Sequence, residues 1–502
     1  MNIFPNQPEF TTAYDAGRSQ VMWCKLPSDV DTPVSAMLKL GQERPFTALF
    51  ESVQGGSVRG RYSFIAIEPD VIWRCNGNQA DLCYDIKVSS PTYKKDDKAA
   101  LESLRALIAE SHIDLPDGMP PMAAGLIGFM GYDTIRLVEN IPSKNPDTLG
   151  IPEGMFMRPT ITVIFDNVDD VLTIVTPIYP KKGIRTTVAY AAAQSRILNA
   201  VTALERAIPH NTSTPLVKFD EPTSNTGRDG YYKMVERAKE YILEGDIFQV
   251  VPSQRFRLPF TLPSFSLYRS LRRLNPSPFL FHLNLQDFSI VGSSPEILVR
   301  LRDSKVTIRP IAGTRPRGRT IAEDQALSKE LLADPKECAE HLMLLDLGRN
   351  DVGRVCKTGT VEVTERMTVE YYSHVMHIVS NVQGEIDPTY DALDALMAGF
   401  PAGTVSGAPK VRAMEIIDEL EKERRGFYAG AIGYLSSNGD MDTCIALRTA
   451  LVKDGELIIQ AGGGVVADSD PESEFQESNN KAQALVRAAE EAIKLFSGNS
   501  TD

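Results

Sequence analysis

Short runs of alternating apolar and polar residues dominate the first 220 positions, a pattern typical of half-buried β-strands. Five of these runs are predicted to be strands: residues 47–53, 61–67, 80–88, 161–168 and 171–179. Residues 188–208 have apolar positions at helical spacing and are predicted to form an amphipathic helix. The polar stretch 209–230, rich in Pro, Gly, Ser and Thr, is interpreted as a linker or a surface loop.

The second half of the chain combines strand runs with marked helix starts. Asp229 is predicted to cap a helix that Gly245 ends, and Thr320 and Glu323 have the spacing of a capping box. Further helix starts are predicted at Pro335, Asp391, Pro409 and Pro471. Strands are predicted at 247–256, 281–285, 288–294, 297–301, 305–311, 429–436, 442–452 and 456–466. Because strands cluster with helices grouped between them, the predicted fold class is α+β.

The composition is that of a soluble globular protein, with 42% hydrophobic and 24% charged residues. The formal net charge of −13 argues against nucleic-acid binding but is compatible with a small anionic substrate. No apolar run approaches the roughly 18 residues of a membrane helix, and we expect no targeting signal at the N-terminus. The six cysteines have neither zinc nor disulfide spacing, so we expect a cytoplasmic protein without membrane association.

Two segments share the order Asp-Pro followed by Glu-x-x-Glu, and each is predicted to start a helix. The first places Glu337 and Glu340 on one helical face, and the second does the same with Glu474 and Glu477. Two such helices facing each other would gather four carboxylates, which are hard oxygen ligands suited to Mg²⁺. The same spacing occurs on ordinary solvated helix faces, so spacing alone leaves both interpretations open.

Two glycine-rich segments are candidates for anion binding. Residues 399–410 lead into a helix with Lys410 in its first turn, where the helix dipole already favours an anion. The consecutive Gly462, Gly463 and Gly464 would allow a carboxylate close to backbone N–H groups. Four arginines between residues 309 and 319 add positive charge. Ordinary turns and solvated basic loops explain these segments equally well.

Seven segments of the second half, in this order, resemble the motifs of the chorismate-utilising enzymes. They are PIAGTRPRGR, ECAEHLMLLDLGRNDVGRV, SHVMHIVSNV, FPAGTVSGAPK, GFYAGAIGYLS, CIALRT and QAGGGVVADSDPESEFQESNNKA. The resemblance implies a chorismate-binding catalytic region at 228–492, preceded by an N-terminal α+β region at 1–220. It also implies two orthogonally packed antiparallel β-sheets with helices on the outside.

The resemblance implies the reaction of the family branch that forms anthranilate, the first committed step of tryptophan biosynthesis. Ammonia attacks C2 of chorismate as the C4 hydroxyl leaves, and loss of pyruvate then makes the ring aromatic. Mg²⁺, held by Glu340 and Glu477 with support from Glu337 and Glu474, is expected to bind the ring carboxylate. The expected activity is therefore that of a Mg²⁺-dependent lyase.

Further roles are implied by the same resemblance. Glu296 is expected to be the general acid for the departing hydroxyl, and His377 to assist the chemistry at the ring. Thr404 matches a hydroxyl on the substrate side and Lys481 a nearby cation. The residues that match substrate-binding positions are Gly313, Thr314, Tyr428, Arg448, Gly462, Gly463 and Gly464.

Two positions distinguish the reactions within the family. Aminodeoxychorismate synthases commonly carry a nucleophilic lysine where this chain has Ala312. Isochorismate and salicylate synthases carry a water-activating lysine where it has Gln249. The absence of both lysines favours ammonia as the nucleophile and anthranilate as the product. Aminodeoxychorismate or isochorismate synthesis is the alternative, and a binding protein without catalysis is a third hypothesis.

The N-terminal half carries one further family element, LFES at residues 49–52. Together with NPSPFL at 275–280, it implies a regulatory site at which tryptophan acts as a feedback inhibitor. The residues expected there are Glu51, Ser52, Pro278, Phe279, Leu280, Ile432 and Tyr434. A plain edge strand is the simpler interpretation of LFES.

The source of ammonia is the last feature that the sequence addresses. No glutaminase nucleophile element of the type G-x-C-x-G is visible in the chain. Ammonia is therefore expected from solution or from a separate glutamine amidotransferase subunit. The resemblance implies that this subunit and the chain form a heterotetramer.

Overall fold

The structure is a computed structural model that describes residues 1–41, 44–54, 58–86, 91–209, 218–372 and 375–496. Within these ranges the chain forms 11 α-helices, 26 β-strands and three short 3₁₀ helices. The α-helices are α1 Gln7–Asp15, α2 Pro33–Leu40, α3 Ala100–Glu110, α4 Thr186–Leu204, α5 Gly227–Leu243, α6 Ser264–Leu274, α7 Ile321–Ala333, α8 Pro335–Gly353, α9 Ala392–Gly399, α10 Lys410–Leu420 and α11 Pro471–Phe496. The 3₁₀ helices are Pro121–Ala123, Tyr132–Leu137 and Gly403–Val405.

The strands are β1 Ile3–Phe4, β2 Gln20–Pro27, β3 Thr47–Glu51, β4 Val53–Gln54, β5 Val58–Arg59, β6 Tyr62–Asn76, β7 Gln79–Cys83, β8 Lys94–Ala99, β9 Gly125–Met130, β10 Gly154–Asp166, β11 Val171–Ile178, β12 Thr223–Ser224, β13 Gln249–Val250, β14 Ser253–Pro259, β15 Phe279–Asn284, β16 Phe288–Ser294, β17 Ile297–Arg302, β18 Lys305–Ile308, β19 Ile311–Pro316, β20 Glu362–Tyr371, β21 Val375–Glu385, β22 Gly407–Ala408, β23 Ala431–Ser436, β24 Met441–Ile445, β25 Thr449–Lys453 and β26 Glu456–Gly462. The two longest strands, β6 and β10, have 15 and 13 residues.

Two large antiparallel sheets share the long strands β6 and β10. The first has the order β1-β2-β11-β10-β6-β3-β15-β16-β25-β26-β14-β12. The second has the order β8-β7-β6-β10-β9-β23-β24-β17-β18-β21, with β19 and β20 both paired to β21. The pairing of β10 shifts register between Arg158 and Pro159, where the strand passes from one sheet to the other. Strands that change sheet at such irregularities are typical of orthogonal packing, and the predicted α+β fold is confirmed.

Strands from both sides of residue 220 alternate within each sheet. In the first sheet β3 pairs with β15, so that Phe50 lies opposite Phe281. In the second sheet β9 pairs with β23, so that Phe129 lies opposite Ile432. Backbone hydrogen bonds therefore join the 1–220 and 228–492 regions. Residues of LFES and of the second half can meet for this reason.

The predicted helix ends agree with the structure at some positions and not at others. Gly245 follows α5 with φ +85°, as expected for a glycine that ends a helix. Asp229 does not cap α5, because the helix begins at Gly227 and Asp229 lies in its first turn. Thr320 accepts a hydrogen bond from the backbone N–H of Glu323 at 3.2 Å, but the Glu323 carboxylate accepts from the backbone N–H of Arg319 instead.

Two predicted strands are each broken near residues that were singled out from the sequence. The run 247–256 divides into β13 and β14, and the run 442–452 divides into β24 and β25. The second break contains Arg448, whose φ of +48° removes it from the strand. The first break follows Gln249, which pairs with Ala408 of β22 in a separate two-stranded ribbon. The interruptions thus set Gln249 and Arg448 apart from the regular sheet.

Candidate active site

Two helix N-termini carry the repeated carboxylate pairs. The Asp334 side chain accepts from the backbone N–H groups of Lys336 at 3.0 Å and Glu337 at 3.4 Å, which fixes the start of α8. The Asp470 side chain accepts from the backbone N–H of Ser473 at 2.9 Å and does the same for α11. Both predicted N-caps are confirmed, so each helix begins with its Glu-x-x-Glu pair in the first two turns.

The four carboxylates lie close enough for the charges of Glu337 and Glu477 to raise the pKa values of their neighbours. Burial raises the pKa of Glu340, and the negative charges of Glu337 and Glu477 raise it further. Burial also raises the pKa of Glu474, again with a contribution from Glu477. Lys481 offsets part of this charge, because its Nζ lies 2.7 Å from Oε1 of Glu477. The structure therefore brings the four predicted metal residues within electrostatic range of one another, and we call them the carboxylate cluster.

One oxygen of the cluster has no hydrogen-bond partner. Glu474 Oε1 accepts from the Ser469 hydroxyl at 2.7 Å, whereas its buried Oε2 is unpaired in the described part of the chain. In the same ranges no group of three or more His, Cys, Asp and Glu side chains converges to hold a metal ion. Mg²⁺ needs only one or two protein carboxylates when substrate and water complete its shell. The unpaired oxygen and the mutual repulsion fit such a cation.

The triple-glycine segment follows β26 and runs beside this cluster. A Cβ at Gly463 would lie 2.7 Å from Glu474 Oε2, and one at Gly464 would lie 2.3 Å from Gln249 Nε2. Lys481 donates to the Gly462 carbonyl oxygen at 3.0 Å. Gln249 is buried, and its Oε1 has no hydrogen-bond partner among the described residues. A side chain at Gly463 or Gly464 would displace Glu474 or Gln249, whereas one at Gly462 would collide with backbone, because its Cβ would lie 2.2 Å from the Pro252 carbonyl oxygen.

His377, on β21, is held in one tautomer by its neighbours. Its Nδ1 lies 3.2 Å from the Gly313 carbonyl oxygen and 3.0 Å from the Thr314 hydroxyl. A carbonyl oxygen only accepts hydrogen bonds, so we assign the proton to Nδ1. Burial lowers the pKa of His377 to about 4, and the Arg448 charge acts in the same direction against the Gly313 bond. At neutral pH the ring is uncharged and Nε2 carries a lone pair, which is the state of a general base.

Glu296 has the opposite protonation state. Its side chain is 7% exposed, and the Thr404 hydroxyl donates to its Oε1 at 3.2 Å. Burial raises the pKa of Glu296 to about 8, although the bond from Thr404 lowers it. Glu296 and Thr404 line one small cavity together with Leu344 of α8. The carboxyl group therefore keeps its proton at neutral pH, as a general acid requires.

Arg448 is a half-buried cation with no carboxylate partner among the described residues. Burial lowers the pKa of its guanidinium, and no ion pair to it exists among the residues that the structure describes. A desolvated guanidinium without a partner is unfavourable unless a ligand pairs with it. A carboxylate of a bound substrate would satisfy it.

The other cations expected to bind anions are neutralised within the chain. Lys410 Nζ lies 2.8 Å from Asp351, and Arg412 Nη2 lies 2.6 Å from Asp246. Three of the four arginines in the 309–319 segment also pair with carboxylates, as Arg309–Glu370, Arg315–Asp334 and Arg317–Asp324. These two segments are therefore held by internal ion pairs, which is a correction to the anion-binding interpretation.

Tyr428 is 2% exposed and lies under a buried arginine that the sequence did not single out. Burial raises the pKa of Tyr428 to about 12, against the effect of the Arg425 charge. The Arg425 guanidinium lies 5.4 Å from the centre of the Tyr428 ring, and donates to the carbonyls of Val405 and Val251 at 2.6 Å each. Arg425 thus joins the segments of Thr404, Gln249 and Tyr428. No sequence pattern distinguishes it from the adjacent Arg424.

A second cavity, of about 430 Å³, lies where β3, β15 and β23 approach each other, and we call it the junction cavity. Six residues of the expected tryptophan site line it: Glu51, Ser52, Pro278, Phe279, Ile432 and Tyr434. Leu280 does not line it. This side chain is 1% exposed and packs in the core on the opposite face of β15, since successive strand residues face opposite sides.

The Glu51 carboxylate in the junction cavity is already bound within the protein. It accepts hydrogen bonds from the Tyr268 hydroxyl at 2.5 Å and from Arg272 Nε at 2.6 Å. Ser52 lies against Gly60, where an added Cβ would come within 2.5 Å of the Ser52 Cβ. The cavity wall at Ser52 is therefore closely packed where Ser52 meets Gly60.

The sequence pattern of the chorismate binding enzyme family matches residues 60–487. The chain therefore belongs to the chorismate-binding enzymes, the class that the fold and the carboxylate-lined site also indicate. No helix in the described part of the chain is both long and apolar enough to cross a membrane.

Two curated relatives and one solved structure within this class carry the same name. The chain is 56% identical to anthranilate synthase component 1 of Cereibacter sphaeroides over 96% of this chain and 97% of that protein. It is 46% identical to anthranilate synthase component 1 of Pseudomonas putida, over 96% and 98% of the two chains. The crystal structure of anthranilate synthase component I from Streptococcus pneumoniae superposes with a TM-score of 0.75 at 37% identity, covering 92% of this chain and 99% of that chain.

Proposed function

We propose that the chain is the chorismate-binding subunit of an anthranilate synthase, converting chorismate and ammonia to anthranilate, pyruvate and water. The observation that carries the proposal is a pair of opposed protonation states at one site. Glu296 keeps its proton at neutral pH, whereas His377 remains an uncharged base. The names of the relatives at 46% and 56% identity support the same reaction.

Substrate binding follows from the charges that lack partners. Arg448 and the N–H groups of Gly462, Gly463 and Gly464 would hold the enolpyruvyl carboxylate, because the guanidinium has no ion pair among the described residues. Glu340 and Glu477 would hold Mg²⁺, with Glu337 and Glu474 in support. When bound, the cation supplies charge neutralisation and orientation for the ring carboxylate. Thr404 and His377 would then act on the ring.

Glu296 starts the chemistry by giving its proton to the C4 hydroxyl, which leaves as water while ammonia attacks C2. The nitrogen loses a proton after the attack, and its return to Glu296 restores the acid. Nε2 of His377 then removes the proton from C2 as the C3–O bond breaks and the enolate of pyruvate departs. Transfer of this proton from His377 to the methylene carbon of the enolate gives pyruvate and restores the base. The protons balance, and the aromatic ring drives the second step.

Gln249 supports ammonia as the nucleophile. Its buried amide oxygen has no hydrogen-bond partner among the described residues and can accept from an N–H group. A neutral amide does not activate water as a lysine would, and Ala312 offers no nucleophile for a covalent intermediate. Both residues therefore disfavour isochorismate and aminodeoxychorismate as products.

The proposal includes the partners that the reaction requires. Ammonia comes from a separate glutamine amidotransferase subunit that assembles with this chain in a cytoplasmic heterotetramer. Tryptophan binds in the junction cavity as a feedback inhibitor, which is supported by the meeting of Ser52 with Phe279 and Tyr434 in one cavity of suitable size. The indole ring of tryptophan is apolar and can pack against the aromatic side chains that line this cavity.

The test is the product that the purified chain forms from chorismate, MgCl₂ and ammonium. We expect fluorescent anthranilate and one equivalent of pyruvate, and no product when Mg²⁺ is removed with a chelator. A product without anthranilate fluorescence would contradict the proposal. Glutamine should not replace ammonium, because the sequence shows no glutaminase nucleophile element. Anthranilate formed from glutamine by the chain alone would contradict the need for a partner.

A further inference from the structure

Tyr372 forms a wall between the junction cavity and the catalytic histidine. It lines the cavity on one side. On the other side its ring packs edge to face against His377, with ring centres 5.4 Å apart and planes at 65°. This geometry is favourable for aromatic pairs and restrains the orientation of both rings. The orientation of the imidazole therefore depends on where Tyr372 lies.

The hydroxyl of Tyr372 is connected back to the same cavity. It donates to Glu370 Oε2 at 3.0 Å, and Glu370 Oε1 accepts from Arg309 Nη2 at 2.6 Å. Arg309 lines the junction cavity as well. Glu370 also lies directly opposite His377 in the pairing of β20 with β21. A chain of bonds thus leads from the cavity wall to the strand that carries His377.

The general acid borders the same wall. Pro295 and Ile297, which precede and follow Glu296, both line the junction cavity. Tyr372 lies close enough to Glu296 and Arg448 for electrostatic interaction with each. The cavity and the catalytic site therefore share one layer of residues, and a shift on one side is transmitted to the other because packed interiors deform little.

We propose that Tyr372 is a positioning residue for His377 and the contact through which a ligand in the junction cavity acts on the catalytic site. The inference rests on the proposed function, with tryptophan as the ligand. A ring that fills the cavity meets Tyr372 and Arg309 on one wall. This ligand inhibits if it favours an arrangement in which His377 or Glu296 is displaced from the position needed to react with chorismate.

The hydroxyl is tested by Tyr372→Phe, which keeps the ring and breaks the bond to Glu370. The measurement is the dissociation constant of tryptophan with and without saturating chorismate, with Mg²⁺ and without ammonium. In the parent we expect chorismate to weaken tryptophan binding about 5- to 150-fold. In Tyr372→Phe the factor should fall below about twofold, while the affinity for tryptophan alone stays within about threefold of the parent.

Tyr371→Phe is the matched control. Tyr371 is the preceding residue on β20, and its ring lies 5.3 Å from the Arg317 guanidinium instead of beside His377. This variant should keep the coupling factor of the parent. If Tyr372→Phe also keeps it, or if both variants lose it equally, Tyr372 is not the contact and the inference is overturned.

The positioning role is tested by Tyr372→Leu, which removes the ring beside His377. We expect kcat to fall about tenfold with the KM for chorismate within about threefold, because the ring orients the base and does not bind substrate. A rise in KM with unchanged kcat would overturn the positioning role. The parent separates the two proposals: a parent that forms no anthranilate refutes the function, whereas an active parent that tryptophan does not inhibit refutes only the inference and the regulatory site.

Discussion

The chorismate site and the junction cavity lie on opposite sides of one layer of residues, yet their polar groups are arranged differently. In the chorismate site several buried groups have no partner. They include the amide oxygen of Gln249 and Oε2 of Glu474. Arg448 has no ion pair within the described ranges, and the pKa values of Glu296 and His377 are moved in opposite directions.

In the junction cavity most charged groups are paired within the protein, although Arg302 Nε and Asp442 Oδ1 have no hydrogen-bond partner among the described residues. Glu51 is bound by Arg272, Arg300 Nε lies 3.0 Å from Asp442, and Arg309 is bound to Glu370. Because most of its charges are neutralised by ion pairs, the cavity offers a ligand chiefly shape and apolar surface. In the proposed function, substrate and cation would supply the partners that the chorismate site lacks. We therefore expect charge changes to matter most in the first site and changes of volume in the second.

The largest effect should come from the carboxylate cluster. Glu340→Gln and Glu477→Gln should each reduce Mg²⁺-dependent anthranilate formation at least about 100-fold, since losing a charged metal ligand costs several kcal/mol of transition-state stabilisation. Glu472→Gln is the matched control on α11. This residue interacts with Arg228 instead of the cluster, with 2.6 Å between the charged atoms, and its activity should stay near that of the parent.

Thermal unfolding gives an independent test of the cluster. Without Mg²⁺, Glu340→Gln should unfold at a higher temperature than the parent, because burial and the charges of Glu337 and Glu477 disfavour the ionised Glu340. Added MgCl₂ should stabilise the parent and not the variant. Equal stabilisation of both proteins by Mg²⁺ would remove Glu340 from the metal site.

Glu296→Gln should have the next largest effect, a loss of kcat of about 100-fold, because general acid catalysis contributes roughly 10²–10⁴. In the parent, activity should fall as the pH rises through about 8, where Glu296 loses its proton. Glu362→Gln, the same change at an exposed position of β20, serves as the control. A pH-rate profile without that alkaline limb would contradict the assignment.

The same group also affects stability in a defined direction. The folded-state pKa of Glu296 is raised from 4.5 to about 8. The contribution of the protonated carboxyl group to the free energy of unfolding is therefore fully present below about pH 4.5 and is lost as the pH rises through about 8. Glu296→Gln has no such proton. The melting temperature of the variant should therefore gain on that of the parent between pH 5 and pH 8, as seen by calorimetry.

Local features of the fold could be predicted from the sequence, whereas contacts between distant residues could not. The helix starts at Asp334 and Asp470 were predicted correctly because caps are local: one side chain and the next three residues decide them. The two sheets, and the meeting of Ser52 with Tyr434, follow from family resemblance and not from local pattern. Strand pairing across hundreds of residues leaves no periodic signal in either strand.

The predictions that were wrong or missing also concern contacts between residues that are distant in the sequence. Lys410 and the arginines of 309–319 looked like anion sites because their partners, such as Asp351, are far away in sequence. Arg425 and Tyr372 were missed because their roles depend on the residues packed against them. Leu280 was expected in the junction cavity because it belongs to a motif, although strand alternation turns it toward the core.

In the junction cavity, volume should matter more than charge. Ser52→Phe should raise the tryptophan concentration for half inhibition at least about tenfold. The new ring would occupy space that the ligand needs, because Gly60 packs against residue 52 and leaves no room for the ring on that side. Ser52→Ala, which removes the hydroxyl without filling the cavity, should change it by much less. Inhibition of Ser52→Phe at the parent's tryptophan concentration would show that the ligand binds elsewhere.

The smallest effect is expected from Thr404→Val, which changes one hydrogen bond in the catalytic site and almost no volume. The Thr404 hydroxyl donates to Glu296 Oε1 and thereby lowers the pKa of that carboxyl group, against the effect of burial. Without this bond the carboxylate is less stable, so the alkaline limb of kcat should move upward by about 0.5–1 pH unit. Thr404→Ser keeps a hydroxyl at the same place and should restore the limb to the parent's position. If valine leaves the limb unmoved, or if valine and serine shift it equally, the hydroxyl does not set the protonation of Glu296, and the difference between the two sites rests on burial alone.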